Sequence, residues 1–178
     1  MKIIVFDLDG TLINSAPDLH AAAVKMLRDF NQPELALEQV ISFIGNGVPT
    51  LVRRCLQAAD ADEADYDAAL ESFREHYLAA PVDLSRPYEG VLEMLNELVS
   101  NHFKLAVCTN KSEKMTSEVL KGLELECFFD AVIGGDTLPV RKPSPDPLRL
   151  AFSRIGVQNY GGELYVGDSE VDAETAEA

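Results

Sequence analysis

The sequence predicts an α/β fold: a parallel sheet layered between helices, with an all-α block inserted after the first strand. Three observations carry this expectation. A continuous run of β-branched and aromatic residues at 3–6 reads as a strand buried on both faces, and further strands are read at 103–108, 131–133 and 164–166. From Tyr88 onward these runs alternate with helical patterns, as helical crossovers between parallel strands require. Between the first run and Tyr88, every patterned segment is helical. The core is therefore expected over residues 1–14 and 83–178, and the helical block over 15–82.

Each element has its own signal. Ile3-Ile4-Val5-Phe6 forms the first strand and ends in the turn Asp7-Leu8-Asp9-Gly10. Ser15 caps the first helix, Pro17 lies in its first turn, and Leu19, Ala23, Met26, Leu27 and Phe30 share a face until Pro33 closes it. A second helix is expected from about 34 to 44, on Leu37, Val40, Ile41 and Ile44, with Gly45 as its stop. A third begins near Val48-Pro49 and carries Leu51, Val52, Cys55 and Leu56. A fourth presents Tyr66, Ala69, Leu70, Phe73 and Tyr77. The acidic run before it sits where a helix N-terminus favours negative charge. After Tyr88 come a helix (Val91, Leu92, Leu95, Leu98, Val99), the strand ending at Cys108, and the polar turn Thr109-Asn110-Lys111. A helix from about 112 to 120 leads to the strand 131–133 and then Gly134-Gly135-Asp136. The loop Arg141-Lys142-Pro143 precedes a helix that starts at Ser144-Pro145 and stops at Gly156. The strand 164–166 ends in Gly167-Asp168.

Composition narrows the function. The 178 residues include 15 Lys and Arg against 30 Asp and Glu, a formal net charge of −15. Such a surface repels nucleic acid and anionic membranes, so neither is expected as a partner. Cys55, Cys108 and Cys127 are odd in number and lack metal-ligand spacing, as expected of reduced thiols in the cytoplasm. The opening apolar run is too short for a signal peptide, and no later segment approaches a membrane span.

The chemistry lies at the strand ends: Asp7 and Asp9, Thr109 and Asn110, Gly135 and Asp136, and Asp168. Ligands of open parallel sheets bind beyond the carboxyl ends of the strands, so residues far apart in sequence can converge there. The charges of Asp7, Asp9, Asp168 and Asp172 sum to −4, and Lys142 brings the sum to −3. A divalent cation leaves −1, and a proton on Asp9 leaves zero. A hard ion held through oxygen, Mg²⁺, is therefore expected, and an anionic phosphate is accepted only with it. The chemistry this permits is phosphoryl transfer to a carboxylate. One Asp attacks; the other protonates the leaving oxygen and later deprotonates water. Thr109 and Asn110 can bond phosphate oxygens, and Lys142 stabilises their charge. Cys108 borders this region but reads as a small core residue, and His20, His76 and His102 are not read as catalytic.

Asp7-Leu8-Asp9-Gly10-Thr11-Leu12, Thr109-Asn110, Lys142-Pro143 and Gly167-Asp168 with Asp172 resemble, in order, the four motifs of the haloacid dehalogenase superfamily. The helical block resembles its small α-helical cap. Segments 14–19, Ile44-Gly45-Asn46-Gly47 and 134–139 are similar to the phosphoglycolate phosphatase branch. The resemblance implies a Rossmann-like, three-layer core and an Mg²⁺-dependent phosphatase of a small phosphorylated metabolite, 2-phosphoglycolate first. It implies Asp7 as nucleophile and Asp9 as general acid/base. It implies Mg²⁺ on the Asp7 carboxylate, the Asp9 carbonyl and Asp168, with Asp172 supporting the metal's water or Lys142. Thr109, Asn110 and Lys142 would bind phosphate, as would backbone N–H groups near Gly10 and Thr11. Gly45, Asn46 and Gly47, with Arg53, would read the organic part. Relatives continue with a further strand and helix, so the last strand and helix of the core are expected to be missing here. A monomer or homodimer is expected. Three alternatives stay open: a sugar-phosphate phosphatase or phosphomutase on the same scaffold, a receiver domain phosphorylated on Asp136, and a fragment that binds phosphate and metal without turnover.

Overall fold

A computed structural model describes residues 2–156 and 163–178. In chain order the elements are β1 (Ile3–Phe6), β2 (Ile13–Asn14), α1 (Ala16–Asp29), α2 (Leu37–Ile41), α3 (Val48–Ala58) and α4 (Tyr66–Ala79). They continue with β3 (Arg86–Pro87), α5 (Val91–Ser100), β4 (Lys104–Cys108), α6 (Glu113–Gly122), β5 (Ala131–Ile133), α7 (Asp146–Ile155), β6 (Leu164–Val166) and α8 (Glu170–Glu177). Two compact units result: Met1–Asn14 with Arg86–Ala178, and Ser15–Ser85.

The first unit is built on a parallel sheet of order β5-β4-β1-β6. Alternate residues Ile3, Val5, Ala106, Cys108, Ala131 and Ile133 pack on Leu148, Ala151 and Phe152 of α7. Ile4, Phe6, Leu105 and Val107, which point to the other face, are buried as well. Burial of both faces is why β1 is an unbroken apolar run and why β4 is apolar after the exposed Lys104. β2 and β3 pair antiparallel, Ile13 with Pro87 and Asn14 with Arg86. At two residues each, neither shows a sequence period. Among the described residues β6 pairs with β1 alone.

The sheet order fixes where a ligand binds. The chain runs from β1 to β4 and β5 on one side, then returns to β6 on the other. The order reverses at β1, and the crevice beyond the carboxyl end of such a strand is the binding position of open α/β sheets.

The second unit is all-helical. Leu19, Ala23, Met26 and Leu27 of α1 are buried, as are Leu51, Val52, Cys55 and Leu56 of α3 and Ala69, Phe73 and Tyr77 of α4. The helix expected over 34–44 is shorter: α2 ends at Ile41, and the N–H groups of Phe43 and Ile44 bond only three residues back in successive turns. The unit extends to Ser85 rather than 82, and one buried side chain accounts for this. The Asp18 carboxylate accepts the N–H groups of Leu84 (3.0 Å) and Ser85 (2.7 Å) and the Ser85 hydroxyl (2.6 Å).

Candidate active site

Asp7 follows β1 directly, and its side chain is buried. Its N–H donates to Val166 O at 2.8 Å, which carries the β1–β6 pairing one residue beyond the strands. Carboxylate oxygens of Asp7, Asp168 and Asp172 all lie within 4.8 Å of one another. Three hard oxygen donors at that spacing suit a divalent cation such as Mg²⁺.

Lys142 answers part of this charge. Its Nζ lies 2.8 Å from Asp7 Oδ1, 2.6 Å from Asp172 Oδ1 and 2.9 Å from the Tyr165 hydroxyl, so all three ammonium donors have acceptors. The electrostatics follow. Burial pushes the Asp7 carboxyl up to about 6, against the pull of Lys142 and with Asp172 adding to the rise. Burial also opposes the Asp172 charge, but Lys142, Ser169 and Tyr165 together hold that carboxyl below its ordinary range. Burial opposes the Lys142 ammonium too, yet Asp7 and Asp172 outweigh it and raise its pKa. The Cys108 thiol is pushed up to about 12, chiefly by burial, which keeps it protonated and inert.

Local chemistry fixes the loops. Gly10 has φ +91°, and a Cβ there would lie 2.4 Å from Asp168 Oδ2, so glycine is what lets Asp168 approach. Thr11 Oγ1 donates to Asp168 Oδ1 at 2.9 Å. Ser169 and Asp172 form a capping box that starts α8 and points Asp172 at the site. Lys142 is joined to Pro143 by a cis peptide. The Asn110 amide donates to Lys142 O at 3.1 Å, tying the β4 loop to the Lys142 loop. The Thr109 hydroxyl accepts the Lys111 N–H at 3.2 Å.

Several of the expected residues have further partners in the structure. Backbone N–H groups near Gly10 and Thr11 were expected to face a phosphate; those of Gly10 and Thr11 themselves donate within the turn, to Ile13 O (2.9 Å) and Leu8 O (3.3 Å). Asp172 contributes an oxygen to the acidic cluster itself, while also holding Lys142. Asp136 caps a helix, its Oδ1 accepting the Glu113 N–H at 2.7 Å where α6 begins. Gly45, Asn46 and Gly47 lie in the helical unit, where Asn46 O accepts the Thr50 hydroxyl at 3.2 Å. Arg53 of that unit lies over the Tyr66 ring, 4.5 Å from its centre, and 3.9 Å from Glu63.

Two residues of the site were not anticipated. Lys111 Nζ stands 3.0 Å from Asp9 Oδ2 with its side chain 2% exposed. Tyr165 bonds both Lys142 and Asp172. Each had a signal in the sequence. Lys111 directly follows the Thr-Asn pair, and Tyr165 lies three residues before Asp168 on the strand that delivers it.

The Haloacid dehalogenase-like hydrolase family matches residues 4–178. The chain belongs to that family. A phosphoglycolate phosphatase of Cereibacter sphaeroides (strain ATCC 17025) is 43% identical over 180 residues, spanning all of this chain and 81% of the relative. One from Aquifex aeolicus is 39% identical over 174 residues, spanning 98% of this chain and 79% of the relative. A solved structure from Haemophilus somnus 129PT, described as a predicted phosphoglycolate phosphatase, superposes with a TM-score of 0.93 at 33% identity, covering 99% of this chain and 81% of that one. The chain is thus a phosphoric monoester hydrolase, with the α/β core of its family. Among the described residues no helix is long and apolar enough to cross a membrane.

Proposed function

We propose that the chain hydrolyses a small phosphorylated metabolite, 2-phosphoglycolate first, with Mg²⁺ as cofactor and through an aspartyl phosphate on Asp7. The observation that carries this reading is the Asp7 carboxylate, buried at the end of the strand where the sheet order reverses and 2.8 Å from the Lys142 ammonium. The name shared by the relatives supports the choice of substrate. The acidic composition and the three free cysteines support a cytoplasmic enzyme.

The Asp7 carboxylate, the Asp9 carbonyl and Asp168 would hold Mg²⁺, which when bound neutralises charge on the acidic cluster and on the phosphate. Asp7 attacks phosphorus: a carboxylate oxygen forms a new P–O bond as the bond to the leaving oxygen breaks. Asp9 gives that oxygen its proton. It then takes a proton from the water that attacks the aspartyl phosphate, which releases inorganic phosphate and restores Asp7. Lys142, Thr109 and Asn110 hold the phosphoryl oxygens. Asp172 and Tyr165 keep Lys142 aimed at Asp7.

The test is a panel of phosphate esters with Mg²⁺, run beside Asp7→Asn. Phosphate release from 2-phosphoglycolate is expected to exceed that from sugar phosphates, to stop with chelator, and to fall about 10⁴-fold or more in Asp7→Asn. Unchanged turnover in Asp7→Asn rules out Asp7 as nucleophile. Isomerisation without phosphate release makes the enzyme a mutase.

A further inference from the structure

We propose that the turn over 134–137 is the template on which the loop over 109–113 is built, and that Asp136 is the positioning residue that sets where Thr109 and Asn110 stand. The inference rests on the reading above that gives the phosphoryl oxygens to those two residues.

The two segments leave the sheet side by side. β4 and β5 run parallel with Cys108 beside Ile133, and the Thr109 N–H donates to Ile133 O at 3.0 Å, one residue beyond the strand. Past that point the ladder ends and the two chains hold each other. The Gly135 N–H donates to Lys111 O at 2.7 Å, and the Glu113 N–H donates in the other direction, to Asp136 Oδ1 at 2.7 Å. The Thr137 hydroxyl donates to Glu113 Oε2 at 2.7 Å while accepting the Gly134 N–H at 2.9 Å. The loop is thus gripped at 109, 111 and 113. Asn110 lies between gripped residues, and its amide reaches Lys142 O at 3.1 Å, on the side of the acidic cluster.

The approach is too close for side chains in the turn. A Cβ on Gly135 would lie 2.4 Å from Asn110 O, and one on Gly134 would lie 2.4 Å from Glu113 N. Glycine is the residue for places where one backbone nears another this closely.

The start of α6 depends on this turn. The first N–H groups of a helix have no partner within it, and Ser112, at the N-cap, makes no side-chain capping bond. The Glu113 N–H takes its acceptor from Asp136 instead. Without that bond the first turn of α6 is free to shift, and Thr109 and Asn110 shift with it. Contacts to phosphoryl oxygens that serve ground state and transition state alike act on KM and leave kcat. A cap that served folding alone would change stability and neither constant.

The experiment measures kcat and KM for 2-phosphoglycolate, and the Kd of inorganic phosphate by calorimetry with Mg²⁺. The proteins are the wild type, Asp136→Ala, Asp136→Asn and Asp130→Ala. Asp130 directly precedes β5, at the end away from the turn, where its Oδ2 accepts the Leu105 N–H at 3.1 Å. It is the control for stability lost in the same strand pair. Asp136→Ala is expected to raise KM and the phosphate Kd together, about five- to tenfold, with kcat within about threefold of wild type. Asparagine can accept the same N–H, so Asp136→Asn should stay within about twofold on both. Asp130→Ala should lower the melting temperature and leave both as they are. An Asp136→Ala protein that melts earlier with KM and Kd unaltered overturns the proposal. So does an Asp136→Asn protein that loses as much as alanine, because the charge and not the bond would then matter. The same rise in Asp130→Ala also overturns it, as general loosening. If Asp136→Ala does not fold, Thr137→Val, which lacks both hydroxyl bonds, is held to the same rise. A wild type that does not bind phosphate refutes the reading of the site, and the inference falls with it; a wild type that binds, beside an indifferent Asp136→Ala, refutes the inference alone.

Discussion

The Tyr165 hydroxyl donates to Asp172 Oδ1 at 2.6 Å, the same oxygen that receives the Lys142 ammonium. Tyr165 is the only uncharged acceptor among the three that Lys142 uses. Tyr165→Phe removes it and leaves both carboxylates in place. The expected cost is about 1 kcal/mol in stability and about a three- to tenfold fall in kcat/KM, as Lys142 loses one restraint. Thermal unfolding with steady-state kinetics checks both. A loss above about 100-fold would mean that the hydroxyl itself touches substrate.

Removing the cation is a larger perturbation. Lys142→Met leaves Asp7 and Asp172 facing one another in a buried site, at an expected cost of about 3–5 kcal/mol. Turnover should fall about 10²–10³-fold. Adding Asp172→Asn to that variant removes one of the two carboxylates and should recover part of the stability while activity stays lost. Chemical denaturation of the four forms in a double-mutant cycle measures the coupling. Additive effects would show that Lys142 and Asp172 act independently.

At Gly10 the argument is steric. Gly10→Ala puts a methyl 2.4 Å from Asp168 Oδ2 at φ +91°. Strain of about 1–3 kcal/mol is expected, relieved in part by moving Asp168. Because Asp168 is a proposed metal ligand, the Mg²⁺ concentration for half-maximal activity should rise. A Mg²⁺ titration identical to wild type would show that Asp168 does not hold the ion.

These residues mark where the sequence is readable. Strand β1 announces itself because a strand buried on both faces must be an apolar run, whereas β4, β5 and β6 are marked by short apolar stretches between helical patterns. Asp7 and Asp168 draw notice because they stand at strand ends, and Lys142 because it sits between Arg141 and Pro143 in a loop. Lys111 escapes because a lysine in a polar turn looks solvated until tertiary packing covers it. Tyr165 escapes because on a strand it looks like an ordinary packing residue. Asp18 looks like a first-turn acid of α1, and its clasp on Leu84 and Ser85 spans a separation no local pattern reports. The N–H groups of Gly10 and Thr11 bond within their own turn, which no apolar period reports.

In the helical unit, Asp29 Oδ2 accepts the Ser72 hydroxyl at 2.7 Å and lies 2.7 Å from His76 Nε2. Ser72 foremost, then His76, hold its carboxyl below the ordinary 3.8. A carboxyl depressed by folding binds its proton more tightly when the chain unfolds. The tie between α1 and α4 therefore contributes at pH above 3.8 and is lost as pH falls through the folded value. Its effect on melting temperature should be small, because the pair is exposed. Ser72→Ala should move the Asp29 pKa upward, read by carboxyl NMR titration. A titration that does not move assigns the depression to His76 alone.

Asp136 separates the hydrolase from a receiver domain. Its Oδ1 accepts the Glu113 N–H at 2.7 Å, and the neighbouring Thr137 hydroxyl donates to Glu113 Oε2 at 2.7 Å. The Ser112 side chain makes no capping bond, so Asp136 satisfies a donor that the start of α6 would otherwise leave open. A Cβ on Gly134 or Gly135 would lie 2.4 Å from backbone atoms of Glu113 or Asn110, so the glycine pair is what brings Asp136 in. Asp136→Ala should cost about 0.5–2 kcal/mol, the range for a lost cap, seen as a lower melting temperature. Phosphate trapped during turnover should map to Asp7 in the wild type and in this variant alike. Labile phosphate that maps to Asp136, and disappears in Asp136→Ala, would make the acceptor Asp136 and return the chain to the receiver reading.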